Sequence, residues 1–292
     1  MTLLMHNILS LPRVDKQLVI GLRLCALLVA GLVLLVFLFL VSESWPVLNH
    51  ISSSRFLTDN SWHPAQGFYN ITPMLSATLL STFGALLLAT PLGIASALFS
   101  RYYALEFVAV WYRRLIELLA GIPSVVYGFW GLTTLAPLIA SIHPPGVSLL
   151  TAILILALMV LPTIALTVDA ALISVPDDYH KGSVALGLSR WSMIKGVVLP
   201  AARSGIATSI MLGTGRAIGE TMAVLMVAGN VVQHPHSLFD PVRTLTANIA
   251  LEMAYAVGDH RAALFVSGLA LMLMVILLIS LAEKFTQKSA HA

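Results

Sequence analysis

The stretch Gly213–Asn230 reads GTGRAIGETMAVLMVAGN and sets Arg216 and Glu220 four residues apart inside a long apolar run. Each ionised group within a membrane span costs about 2.5–3.5 kcal/mol on insertion scales, so such groups face a bundle interior or a water-filled route. On a continuous helix, positions i and i+4 share a face. Guanidinium holds tetrahedral oxyanions through paired, directional hydrogen bonds, which makes Arg216 a candidate lining residue of an oxyanion route. Glu220 would then hold Arg216, weaken its grip so that the anion can leave, or accept a hydrogen bond from a protonated oxyanion. The alternative is that the two neutralise each other or pair with a neighbouring subunit. Arg-then-Glu is the weaker helix order, which counts against a purely intrahelical role. Gly213, Gly215 and Gly219 surround the pair. They allow close helix approach, or a local break whose freed amides can meet an anion.

Other polar groups lie nearby in the apolar runs. Ser124 and Tyr127 in GIPSVVYG offer hydroxyls beside Pro123, either to a route or to a neighbouring helix. Glu117 has Arg113 and Arg114 within reach as ion-pair partners, and Asp169 is open to either reading. Asn230 closes the long stretch, as a helix cap or as a substrate contact. The histidines form no metal set; His234 and His236 flank one proline and are weak evidence alone. No nucleophile elbow occurs, and no G-x-x-x-x-G-K-[ST]. Any ATP that drives this protein is therefore expected on another chain, with no cofactor bound here.

The elements that must position these groups are membrane helices. Of the 292 residues, 58% are hydrophobic and 10% charged, and the mean hydropathy is +0.92. A soluble domain is nearer half apolar and one-quarter charged. The pattern predicts an all-α, polytopic membrane protein with six spans: about Leu18–Val41, Thr72–Phe99, Leu115–Ala140 interrupted by Pro123, Ser148–Ile173, Ser204–Ala228 and Ala263–Ala282. The first run is too long for a signal peptide and is followed by ESWP, so it reads as an uncleaved span. Aromatics such as Trp45, Trp62 and Tyr69 read as interface anchors. With the N-terminus inside, 12 of the 16 Lys and Arg fall on inner segments and three, Arg55, Arg243 and Arg261, on outer loops. That bias predicts cytoplasmic termini. The cations are dispersed in ones and twos, which excludes a nucleic-acid surface. The single Cys25 can form no internal disulfide. The expected division is 1–71 (inner segment, first span, outer loop), a five-helix core 72–282, and an inner tail 283–292. In the last outer loop, TLTANIALEMAYA suggests a short helix on the outer face.

The inner loop 174–200 carries more signals than a connection needs. Ser174 can cap a helix that has Pro176 early and Asp177 and Asp178 in its favourable first turn. Gly187 can stop it, and Ser189 can cap a second helix that ends before Pro200. Such a loop is either a docking surface for a protein or an amphipathic element at the bilayer surface.

Gly187, followed twelve and thirteen residues later by Leu199 and Pro200, resembles the "EAA…G…LP" loop of ATP-binding-cassette importer permeases. The family's Glu-Ala-Ala positions are here Lys181, Gly182 and Ser183, so a base stands where the family has an acid. LLAGIPSVVYGFWGL (118–132) and GRAIGETMAVLMVAGN (215–230) resemble the phosphate importer permeases of the PstC type, from about Trp45 onward. The resemblance implies a type I (MetI-like) architecture in a bacterial inner membrane. It implies that Asp177, Asp178, Lys181, Ala185, Gly187, Leu199 and Pro200 belong to a loop that docks on an ATPase subunit. It also implies partners: a PstA-type second permease, an ATPase dimer holding ATP-Mg, and an external phosphate-binding protein. Rival readings are a permease for phosphonate, sulfate or molybdate, an ion-coupled secondary transporter, which would show an internal repeat, and a lipid-modifying enzyme, for which no catalytic set assembles.

Overall fold

The computed structural model describes residues 13–290, with side chains for 17–280. Residues 1–12 of the expected inner segment and residues 291–292 of the expected tail lie outside the described residues. The helices are α1 (Arg13–His50), α2 (Thr72–Leu98), α3 (Glu106–Gly121), α4 (Ser124–Ala140), α5 (Leu149–Ile173), α6 (Asp177–Ala185), α7 (Arg190–Ala201), α8 (Arg203–Gly219), α9 (Met222–Val227), α10 (Leu245–Glu252) and α11 (Gly258–Ala290). The one sheet among the described residues is a two-residue hairpin in the first outer loop, Trp62–His63 against Phe68–Tyr69. Four helices are long and apolar enough to cross a membrane alone, and the number rises to six if each of two bent pairs is one span.

The bends depart from the sequence expectation. The third span is not one interrupted rod: α3 and α4 meet at 91°. Ile122 and Pro123 are extended, with ψ of 129° and 141°, because proline excludes the preceding residue from the helical region and supplies no amide. The fifth span is broken too. α8 ends at Gly219, Glu220 is extended (φ −69°, ψ 126°), and α9 restarts at Met222. Three wide π turns, Phe99–Tyr103, Gly131–Leu135 and Ile194–Val198, interrupt helices that the sequence reads as regular.

The core is the α2–α5 seam, with α8 and α9 packed on it. α2 brings Ala77, Ala85 and Ala89; α5 brings Ile155, Leu156, Ile164 and Val168. Small residues on one helix let the bulky ones of the other fill the gap, since lipid gives no hydrophobic drive between spans and close packing must hold them. A second cluster lies at the other end, where Val47, Trp62, Tyr69, Met74, Leu245 and Leu264 meet. α1 packs against α11, while its stretch Gly21–Ala30 is exposed on every side.

The outer elements also differ from expectation. α10 does not lie on a surface: Leu245, Thr246, Ala247, Asn248 and Glu252 are buried, and the Leu245 amide donates to Thr78 Oγ1 at 3.1 Å. Trp62 and Tyr69, read as interface anchors, are each 4% exposed. Trp62 is drawn in by Glu252, which accepts its Nε1–H at 2.9 Å, and Tyr69 packs beside it on Phe56.

Candidate functional site

Arg216 and Glu220 do not form the pair that their spacing suggests. The helix stops between them, so they no longer share a face. Arg216 is exposed near the C-terminal end of α8 and enters none of the ion pairs within 4 Å among the described residues. Glu220 turns forward instead: its Oε1 accepts the Ala223 amide at 3.2 Å. Its carboxylate therefore occupies the start of α9, where the freed amides were expected to meet a substrate anion. Its carbonyl accepts the Thr246 hydroxyl at 3.0 Å, which ties the break to α10. Of the three glycines, Gly213 alone sits at a close approach: a Cβ there would lie 3.0 Å from Val160 and Ile164. Gly215 and Gly219 border open space.

Tyr127 lies half-buried on α4 and carries a hydroxyl. That hydroxyl donates to the Leu119 carbonyl at 2.9 Å and so staples the α3–α4 corner. Ser124, half-buried, opens α4 at the same corner. α4 is held to α9 by Gly128, where a Cβ would come within 2.9 Å of the Ala223 Cα. The structure thus packs α4, which carries Tyr127, against α9, which begins just after the Glu220 break.

Asn230 is a cap. It takes φ +56° directly after Gly229 at +87°, and its Nδ2 donates to the Leu225 carbonyl at 2.7 Å. Arg243 Nε donates to the Asn230 carbonyl at 2.9 Å. The same guanidinium reaches Glu252 Oε1 at 2.7 Å and Asn248 Oδ1 at 3.1 Å. Trp62 Nε1 and His260 Nε2 lie 2.9 and 2.8 Å from Glu252 Oε2. One buried carboxylate thus gathers the first outer loop, the segment after α9, α10 and α11. Sequence reasoning missed this hub, although its signal was the one used for Arg216: a lone acid, Glu252, in an apolar helix.

At the other end, Glu117 makes no ion pair within 4 Å among the described residues; Arg113 turns to Asp169 instead, at 3.1 Å, as does Arg101. In the 174–200 loop, Asp177 and Asp178 open α6 as expected, and Lys181 and Ala185 lie on it. Gly187 takes the left-handed φ of +68°, and Ser189 accepts the Ser192 amide at 3.2 Å. Two details differ. Ser174 does not cap α6; its hydroxyl donates back to the Ala171 carbonyl, and Pro176 precedes α6. The second helix does not end before Pro200 but carries Leu199 and Pro200 on to Ala201, then bends by 71°. The wide turn Ile194–Val198 just before them breaks the α register in which a proline ring would strike the preceding turn.

A family model described as "Binding-protein-dependent transport system inner membrane component" matches residues 89–290. The chain belongs to this permease family. The permease is 36% identical over 283 residues to the phosphate transport system permease protein PstC of Mesorhizobium japonicum, covering 89% of this chain and 86% of that one. It is 38% identical over 265 residues to the probable ABC transporter permease protein YqgH of Bacillus subtilis, covering 88% and 86%. Its fold is similar to that of a bacterial ABC transporter involved in alginate import (TM-score 0.64, 14% identity, 95% and 99% covered) and of the MetNI methionine transporter (TM-score 0.58, 19% identity, 75% and 94% covered). The expected all-α, MetI-like architecture is thus observed. The permease is a multi-pass inner-membrane transport component that works with other permease and ATPase subunits and a binding protein, rather than an enzyme.

Proposed function

We propose that the permease passes inorganic phosphate inward along a route that Arg216 lines, at the break between α8 and α9. The observation that carries this is Arg216 itself: an exposed guanidinium in an otherwise apolar span, with Glu220 turned away to cap α9. Lipid will not take that charge, so the face must meet a water-filled route or another subunit. Relatives of similar length are phosphate permeases, and guanidinium suits a tetrahedral oxyanion. Tyr127 and Ser124 add hydroxyls from the α3–α4 corner. Glu220 sets where the helix breaks, and its negative charge nearby moderates the hold of Arg216 on the anion.

In this reading the 174–200 loop, with Asp177, Asp178, Lys181, Ala185, Gly187, Leu199 and Pro200, docks on one of two ATPase subunits that hold ATP-Mg. A PstA-type permease completes the route, and a phosphate-binding protein docks on the far side. The charge bias supports cytoplasmic termini. ATPase closure moves the loop, and the spans reorient around Arg216.

The test is ATP-dependent uptake of labelled phosphate by the reconstituted complex. Arg216→Lys keeps the charge but loses the planar fork, and uptake should fall about tenfold or more while ATP hydrolysis persists. Normal uptake by that variant would remove Arg216 from the route. Uptake of sulfate or molybdate instead of phosphate by the unmodified complex would overturn the substrate.

A further inference from the structure

The 174–200 loop and Arg216 belong to different parts of the chain, and the proposed mechanism requires that motion pass between them. A joint that can carry it lies where α2, α3 and α5 converge. Asp169, on α5, has a side chain only 11% exposed and two arginines on it. Arg101 Nε reaches its Oδ1 at 3.1 Å, and Arg113 Nη2 reaches its Oδ2 at 3.1 Å. Arg101 belongs to the wide turn Phe99–Tyr103 that ends α2. In that same turn, the Tyr102 carbonyl accepts Arg190 Nη1, from the first residue of α7 in the loop, at 3.5 Å. Arg113 stands on α3, whose far end Tyr127 staples to α4, the helix packed on α9.

The joint is only half made. Arg101 gives Asp169 one hydrogen bond, where a guanidinium can give a carboxylate two, and Arg113 stands at ion-pair distance without one. Arg113 Nε and Ser100 Oγ are buried with no hydrogen-bond partner. Both residues line a small cavity of about 20 Å³ with Ser96, Tyr112, Ile116 and Asp169. Reserve donors beside open space let the arginine re-pair when α3 moves, which is what a two-position element needs and a fully satisfied network lacks.

We infer that Asp169 is a positioning residue: the joint through which movement of the 174–200 loop, passed on by Arg190 and the 99–103 turn, reaches α3 and the Tyr127 corner that joins it to α4 and α9. This rests on the ATP-driven importer reading above.

The experiment measures phosphate taken up per ATP hydrolysed, in liposomes holding the full complex with its binding protein. Asp169→Asn should assemble, keep hydrolysing ATP, and lower that ratio by about tenfold. Asp169→Glu should restore part of it, because the carboxylate returns. A defect in folding alone would reduce the number of complexes and leave the ratio of those that remain unchanged. Should Asp169→Asn fail to assemble, Arg113→Gln carries the test, since it leaves the Arg101–Asp169 pair in place. A ratio equal to that of the unmodified complex in an assembled variant overturns the inference alone. An unmodified complex that hydrolyses ATP without moving phosphate overturns the transport reading and this inference with it.

Discussion

Glu220 uses its carboxylate on the first turn of α9, and this separates two roles that the sequence leaves merged. Glutamine can accept the Ala223 amide as glutamate does, but it carries no charge. Glu220→Gln should therefore fold like the unmodified permease, whereas Glu220→Ala should lose about 1 kcal/mol, the worth of a helix cap. Thermal unfolding of the two purified variants in detergent checks this; equal losses would show that the charge, not the cap, holds the break. Arg216 was legible in the sequence because a cation in an apolar run has few explanations. Its separation from Glu220 was not, since nothing in apolar patterning marks where a helix stops. Asp169 and Glu252 escaped for a related reason. Their partners, Arg101 and Arg113, and Trp62, Arg243 and His260, come from distant segments, so only the packed structure puts them together.

At the scale of elements, the positions of the spans were readable and their shapes were not. Apolar length finds a helix. It cannot tell a proline carried inside one helix, such as Pro162 in α5, from Pro123, at which the chain turns by 91°. The α4–α9 contact gives a direct prediction. A side chain at Gly128 would strike the Ala223 backbone, which cannot swing aside. Gly128→Val should destabilise the permease by about 1–3 kcal/mol. Gly215→Ala meets open space on α8 and should be neutral or stabilising by up to about 1 kcal/mol. The same unfolding measurement on the isolated chain separates the two. An unfolding midpoint for Gly128→Val equal to that of the unmodified chain would show that α4 and α9 slide apart freely.

For the molecule as a whole, the end that carries the outer loops is pinned by carboxylates. Asp240 accepts the backbone amides of His236 and Ser237 at 2.8 and 2.9 Å, and these bonds hold its pKa below the ordinary 3.8. Asp59 is likewise lowered: burial pushes it up, but the Arg55 side chain and the Tyr69 amide outweigh that. A lowered acid stabilises the fold above its unfolded pKa and loses that contribution as pH falls through the folded value. These loops should thus hold from neutral pH down to about 3.8 and loosen below it, seen as lower protection of the His236 and Ser237 amides relative to their intrinsic exchange rate at the same pH. Asp240→Ala, which removes the acceptor, should leave both amides unprotected already at neutral pH. Unchanged exchange in that variant would remove Asp240 as the clamp. At this scale α1 also stands apart from the rest. It is fixed near its outer end, where Ser44 and Val47 are fully buried, and exposed on every side from Gly21 to Ala30. Its insertion in lipid needs no help from the core, and the core's alanine seam needs none from it. During synthesis such a helix can enter the bilayer before α2 to α11 exist, and wait there for α11, which follows the whole core in the chain, to give it a place.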